Sequence, residues 1–118
     1  MSTRRPDLLR WQWEGYAANH RDPTNLLLHL LAIPLFLFGT LLLLVGLFSL
    51  HLLMAGLGLI GIVASLALQR HGHQLEEEAP APFADRRDAV LRLLAEQFIT
   101  FPRFVLSGQW LRAWRARR

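Results

Sequence analysis

The feature that most constrains the fold is an uncharged run from Leu26 to Leu50. Only His29, Thr40 and Ser49 are polar among its 25 residues. A bilayer core about 30 Å thick is crossed by roughly 20 helical residues, so this run is long enough to span a membrane. A second, shorter uncharged run covers residues 52–68. The sequence therefore predicts an all-α fold, an integral membrane helical hairpin with two spanning helices.

The chain length indicates one membrane domain over residues 1–118. Near its start, Trp11 and Trp13 lie among charged residues, which is typical of an amphipathic segment at the headgroup level. Asp22 and Pro23 suit the cap and the first position of a helix. The expected segments are a cytoplasmic amphipathic segment (1–22), two membrane helices (23–50 and 52–75) and interfacial helices (84–115).

Interfacial helices are expected because polar side chains recur at spacings of three or four residues in an otherwise apolar C-terminal segment. Charges throughout this polar stripe make a third membrane span unfavourable. We predict two helices, divided at Pro102, that lie along the cytoplasmic interface or pack over the end of the hairpin. The stripe consists of Asp85, Asp88, Arg92, Glu96, Thr100, Arg103 and Ser107.

All thirteen basic residues are arginines, and they lie outside the two apolar runs. The turn at 49–51 has none, so the positive-inside rule predicts that both termini face the cytoplasm. A signal peptide would have a shorter apolar region and a clear cleavage site. The arginines form no recognisable nucleic-acid-binding module. We therefore expect the lipid bilayer, and no nucleic acid, as their partner.

Three histidines are expected to meet at the cytoplasmic end of the hairpin. His29 precedes Leu50 by 21 residues and His73 follows it by 23, so at about 1.5 Å per residue both reach nearly the same depth. His20 lies shortly before His29. Because the chain has no cysteine, a metal would need imidazole, carboxylate or amide ligands. Neutral imidazole favours Fe, Zn, Ni or Cu, so these residues predict a metal site.

The other two histidines are expected outside this site. His51 lies in the opposite turn, roughly 30 Å away by the same helical rise. His71 points in a different direction from His73 on a helix. A carboxylate is expected from Glu76, which shares the face of His73 at an i, i+3 step, although Glu77 and Glu78 leave the choice open.

The chain also resembles a known family at these residues. The stretches "YAANHRDPTNLLLHLLAIP" and "QRHGHQLEEEAPAP" contain Tyr16, His20, Asn25, His29 and Pro34, then Gly72, His73, a glutamate and Pro80-Ala81. This pattern resembles the small membrane proteins related to the fungal 2-hydroxy fatty acid dioxygenase. The resemblance covers roughly residues 16–39 and 69–82.

The resemblance implies an Fe(II)-dependent dioxygenase that uses O2 to shorten a 2-hydroxy fatty acid by one carbon in alpha-oxidation, here in a bacterial inner membrane. Tyr16 and Asn25 would orient ligands or oxygen through hydrogen bonds. Arg21, Arg70 or Arg103 could pair with the substrate carboxylate. The resemblance implies the iron ligands His20, His29 and His73, and we expect Tyr16, Asn25 and Glu76 as the catalytic residues beside them.

Two other function classes are compatible with the same residues. A membrane zinc hydrolase would use the histidines as ligands and Glu76 as the general base on a metal-bound water. A structural or assembly membrane protein would bind no metal. Metal content and dependence on O2 separate the three classes.

Overall fold

A computed structural model describes residues 7–116. These residues contain no β-strand, which confirms the predicted all-α class. A 3-10 turn at Ala17–Asn19 follows the first helix, and a π-helical turn at Glu96–Thr100 interrupts the C-terminal segment. The six α-helices of the described residues are α1 (Leu8–Tyr16), α2 (Pro23–Phe48), α3 (Leu52–Gln74), α4 (Arg86–Ala95), α5 (Phe101–Leu106) and α6 (Gln109–Arg115). Residues 1–6 of the predicted amphipathic segment lie outside the described range.

Local signals set the ends of the two long helices. α2 begins at Pro23, and the Asp22 carboxylate accepts from the backbone N–H of Asn25 at 3.0 Å, as expected for an N-cap. It ends at Phe48, two residues before the predicted end, because Leu50 adopts a left-handed φ of 56°. α3 ends at Gln74, one residue before the predicted end.

Small residues let α2 and α3 pack closely as an antiparallel pair. The backbone of α3 at Ala55 lies against Gly46, and the backbone of α2 at Gly39 and Leu43 lies against Gly58. Nearer the other end, Ser65 donates from its hydroxyl to the carbonyl oxygen of Ala32. The small residues of α3 at Ala55, Gly58 and Ser65 therefore receive α2, because small side chains permit such close backbone approach.

The outer surface of this pair is apolar. Phe48 and Leu50 at the turn are 88% and 85% exposed, and leucines along both helices are also exposed. Both helices are long and apolar enough to cross a membrane. Only 28% of the most apolar stretch of α2 and 22% of that of α3 are buried within the protein. A core helix of a water-soluble protein would be mostly buried, so hydrocarbon is the solvent that best suits this surface.

The C-terminal arm, defined as α4, the π-helical turn and α5, is helical throughout residues 86–106. Pro102 does not divide it into two helices, because the residue lies just after the π-helical turn, where the regular α-helical hydrogen-bond pattern is already interrupted. The arm packs against the side of the long pair, where the rings of Phe98 and Phe36 are 6.2 Å apart.

The orientation of the arm differs from that of a helix at a water surface. Asp88, Glu96 and Thr100 of the polar stripe are buried, whereas Val90 and Phe98 are about half exposed. Buried polar groups need partners inside the protein. Between Asp88 and Thr100 the arm therefore turns its polar face inward and its apolar face outward, which is a favourable arrangement in hydrocarbon and an unfavourable one in water.

We expect alanine at Gly58 and alanine at Gly56 to have opposite effects. A Cβ at Gly58 would collide with the backbone of α2, whereas a Cβ at Gly56 meets nothing within 4 Å. Gly58→Ala should destabilise the protein by about 1–3 kcal/mol through overpacking, and Gly56→Ala should stabilise α3 by up to about 1 kcal/mol. Unfolding in mixed detergent and SDS, followed by circular dichroism, measures both. Equal stability of the two variants would contradict the packing.

Candidate metal centre

Three imidazoles and one carboxylate converge where α2 and α3 meet the C-terminal arm. One ligand atom from each of His20, His29, His73 and Glu96 lies within 4.8 Å of the others. The Nε2 atoms of His29 and His73 are 3.2 Å apart. Oε2 of Glu96 lies 3.5 Å from Nε2 of His20, 3.4 Å from that of His29 and 4.0 Å from that of His73. The structure thus brings the three predicted histidines together and adds a carboxylate.

Two backbone carbonyl groups set the orientation of His20 and His29. Nδ1 of His20 lies 2.7 Å from the carbonyl oxygen of Tyr16, and Nδ1 of His29 lies 3.2 Å from that of Asn25. A carbonyl oxygen only accepts, so each Nδ1 must carry the hydrogen and donate. In the neutral rings this leaves the Nε2 lone pairs directed into the cluster, as metal coordination requires.

Sequence reasoning did not identify Glu96 as a site residue. It begins the π-helical turn, a distortion that is frequent at functional sites, and its side chain is buried. The Tyr16 hydroxyl donates to Oε2 of Glu96 at 2.7 Å. The available signal was the polar stripe itself, in which Glu96 was predicted to lie at the membrane interface or over the hairpin's end.

Burial shifts the pKa values of Glu96 and Tyr16 in ways that preserve this contact. Burial alone raises the pKa of Glu96, but the imidazoles of His20 and His29, whose Nε2 atoms lie 3.5 and 3.4 Å from its Oε2, bring it well below its ordinary value. Burial, and then the negative charge of Glu96, raise the pKa of Tyr16 well above its ordinary value. Tyr16 therefore keeps its proton and donates to an ionised Glu96.

The cluster is suited to a metal ion. Two ligands of one ion, bound at about 2.1 Å, are separated by roughly 3.0–3.4 Å. The distances from Nε2 of His29 to Nε2 of His73, 3.2 Å, and to Oε2 of Glu96, 3.4 Å, fall in this range. Nε2 of His20 is buried without a hydrogen-bond partner, as is Nδ1 of His73. A cation bound by the inward-facing nitrogen atoms would balance the negative charge of Glu96 in place of protons on the imidazoles. Imidazole and carboxylate ligands suit Fe or Zn.

An apolar cavity of about 370 Å³ opens beside the cluster, between α1, α3 and α4. Three members of the cluster, His20, His73 and Glu96, line it together with Tyr16. Its remaining walls are Trp11, Gln12, Gly15, Asn19, Leu66, Gln69, Arg70, Pro80, Phe83, Arg92 and Leu93. The size and the mostly apolar lining with a few convergent polar groups are typical of sites for small molecules.

The relation of this chain to known proteins agrees with that geometry. The sequence model of a family described as 2-hydroxy-palmitic acid dioxygenase Mpo1-like matches residues 8–107. The chain belongs to the Mpo1-like family. The matched range contains all four residues of the cluster. No curated protein and no solved structure matches the chain.

The structure places Glu76 of this Mpo1-like chain outside the cluster. Its carboxylate accepts from the backbone N–H groups of Arg21 and Asp22 at 2.9–3.0 Å and from the side-chain amide of Asn25 at 2.6 Å. The expected i, i+3 step from His73 does not form, because α3 ends at Gln74. Backbone donors at the start of α2 attract the carboxylate instead, as helix N-termini do.

Asn25 contributes to the centre through its backbone, since its carbonyl oxygen orients His29. Its side chain binds Glu76, so the two residues join the start of α2 to the end of α3. His51 lies at the opposite turn, where its Nδ1 accepts from the backbone N–H of Met54 at 3.2 Å. His71 is exposed. These contacts make His51 a matched control for the histidines of the centre.

Alanine at His20, His29 or His73 should abolish stoichiometric metal binding, because each substitution removes one ligand atom. His51→Ala should keep the metal, since His51 only caps α3. Metal content per chain is measured by mass spectrometry after anaerobic purification, on variants shown to be folded and monodisperse in detergent. Parent-like metal content in folded His29→Ala would mean that His29 is a structural histidine.

The two candidate carboxylates are separated by paired glutamine variants. Glu96→Gln preserves shape but removes the charge beside the imidazoles, and we expect it to weaken metal affinity by roughly tenfold to a hundredfold or more. Glu76→Gln leaves the cluster intact and should bind metal as the parent does. The reverse result in a competition titration with a chromophoric chelator would assign the metal-binding carboxylate to Glu76.

Proposed function

We propose that this chain is an Fe(II)-dependent dioxygenase that shortens 2-hydroxy fatty acids by one carbon at the cytoplasmic face of a membrane. The observation that carries the proposal is a cluster of three imidazoles and a carboxylate beside an apolar cavity that His20, His73 and Glu96 line, in a member of the Mpo1-like family. Histidine and carboxylate ligands with open positions are used by non-haem Fe(II) oxygenases.

The proposed substrate suits both parts of the site. A 2-hydroxy acid carries a hydroxyl and a carboxylate on adjacent carbons, so the two groups can chelate one ion, while the acyl chain occupies the apolar cavity. One 2-hydroxy acid and one O2 give the acid shorter by one carbon, CO2 and water, which balances the atoms and the four electrons that O2 accepts. Bound Fe(II) would supply the transfer of electrons from the substrate to O2.

The residues of the chain hold and surround the reacting groups. His20, His29, His73 and Glu96 would hold the iron. The Tyr16 hydroxyl stays protonated and donates a hydrogen bond to Oε2 of Glu96, which fixes the orientation of the carboxylate. Apolar walls beside the cluster limit the access of water, and this protects a reactive centre from side reactions.

The position of Glu76 gives less support to a zinc hydrolase. That reading uses Glu76 as a general base on a metal-bound water, which requires its carboxylate to lie within hydrogen-bond reach of the site. The Glu76 carboxylate instead accepts hydrogen bonds from the start of α2, including that from the side chain of Asn25. Glu96 lies among the candidate ligands. Among residues 7–116, no other carboxylate lines the cavity.

Turnover tests the proposed reaction. Protein loaded with Fe(II) under anaerobic conditions and mixed with 2-hydroxyhexadecanoic acid should release CO2 and the acid shorter by one carbon only after O2 is admitted. Folded His29→Ala should be inactive and His51→Ala active. Product formation without O2, or equal activity of the Zn-loaded protein, would contradict a dioxygenase.

The proposed position at a cytoplasmic face, as in a bacterial inner membrane, rests on charge and apolar surface. The turn between α2 and α3 has no arginine, whereas arginines lie on both flanks of the pair. The exposed side chains of the turn, including Phe48 and Leu50, are apolar. In this orientation α2 and α3 cross the bilayer, and the metal centre lies near its cytoplasmic side.

The absence of cysteine makes this orientation directly testable. Single cysteines at Ser49 in the turn and at Ser107 after α5 replace exposed side chains. In intact cells, a membrane-impermeant maleimide should label the Ser49→Cys variant, and the Ser107→Cys variant should be labelled only after permeabilisation. Labelling of both from the same side would exclude a crossing hairpin.

A further inference from the structure

The cavity beside the metal centre contains a positive charge that the proposed mechanism does not use. Leu66, Arg70 and His73 lie on one face of α3, at successive steps of four and three residues, and all three line the cavity. Arg70 is therefore one helical turn from His73. The Arg70 side chain and the cluster therefore face the same cavity.

Within residues 7–116, Arg70 makes no hydrogen bond or ion pair. The guanidinium of Arg92, which also lines the cavity, donates to the carbonyl oxygens of Ala81 and Pro82 and contacts Asp88. Arg92 is thus committed to the protein itself. In the described part of the chain, Arg70 is the cavity-lining arginine whose charge has no such partner.

The two other arginines considered from the sequence lie elsewhere. The guanidinium carbon of Arg103 is 4.0 Å from the centre of a Trp13 ring. Arg21 lines a different cavity, of about 480 Å³, together with Glu76–Glu78. Acidic walls would repel an acid there. These positions leave Arg70 as the arginine suited to an acidic ligand of the metal centre.

We propose that Arg70 binds the carboxylate of a single-chain acid whose tail lies in this cavity, and that it selects free acids over neutral lipids of the same length. A guanidinium matches the planar geometry of a carboxylate and forms charge-assisted hydrogen bonds with it. The tail contacts Leu66, Phe83 and Leu93. The inference deepens the proposed function, because it assigns the residue that orients the acid toward the cluster.

The level of Arg70 along α3 agrees with this role. It lies four residues before Gln74, the end of the helix, which is about 6 Å at the helical rise. In the proposed orientation this is near the boundary of hydrocarbon and headgroups. A fatty acid in a bilayer keeps its carboxylate at that boundary, so it reaches Arg70 without taking a charge into the hydrocarbon.

Binding without turnover tests the proposal and separates it from the proposed function. Zn-loaded protein in detergent is titrated with 2-hydroxyhexadecanoic acid and with hexadecane-1,2-diol, which retains the tail and adjacent oxygens but lacks the charge. The parent should bind the acid more tightly. Arg70→Gln should weaken binding of the acid by roughly tenfold to a hundredfold, as for the loss of a hydrogen bond to a charged group, and leave the diol unchanged.

Two further variants control this result. Arg70→Lys keeps the charge without the planar fork, and it should retain part of the preference for the acid. Arg87→Gln removes one exposed positive charge outside the cavity and should leave both affinities unchanged. The preference is compared at one detergent concentration, so that partition of the ligands into micelles is the same for all variants.

The outcomes are distinct. No preference of the parent for the acid, unchanged binding by Arg70→Gln, or an equal loss in Arg87→Gln would overturn the role of Arg70. If Arg70→Gln does not fold, Arg70→Lys decides the matter, because a preference for the acid over the diol as strong as that of the parent would contradict recognition of the carboxylate by the planar guanidinium. Preferred binding of the acid without O2-dependent product would support Arg70 and contradict the dioxygenase.

Discussion

A buried carboxylate surrounded by three imidazoles is the interaction on which the rest of the structure depends. An ionised Glu96 would be costly in this environment without a nearby positive charge, which protons on the imidazoles or a metal ion can supply. The four groups come from the turn after α1, from α2, from α3 and from the C-terminal arm. Charge balance at one point therefore joins four parts of the chain that are distant in sequence.

The surroundings of this centre follow from the same constraint. Polar groups cannot face hydrocarbon without cost, so the C-terminal arm directs them inward. Gln97, next to Glu96, exchanges two amide hydrogen bonds of 2.8–2.9 Å with Gln69 of α3. Asp88 and Arg92 pair within α4, and Arg92 also donates to the preceding loop. This network holds the π-helical turn, and with it Glu96, against the two long helices.

The cavity connects the metal centre to an apolar surface. Candidate metal ligands and apolar side chains line the same cavity, so an amphiphile can place its polar end at the cluster and its tail against the apolar walls. In the proposed role, the Arg70 guanidinium binds the charged end of such a ligand and so distinguishes acids from neutral lipids. A site at the depth of the headgroups can receive such a molecule directly from the bilayer.

The sequence by itself determined the two long helices, the cap of α2 and the common depth of His29 and His73. These features depend on local chemistry and on a constant helical rise counted from a short turn, so they could be predicted without any long-range contact. His20 required one more assumption, that the chain before α2 folds back on the pair.

Only the tertiary structure decided which carboxylate accompanies the histidines. Glu76 follows the end of α3, where helical spacing no longer applies, and the N–H groups at the start of α2 bind it. Glu96 belongs to an amphipathic pattern that indicates one polar face but does not indicate whether that face meets water or protein. The answer depends on what packs against the arm and on the solvent around it, and neither is encoded in the spacing of residues along a single helix.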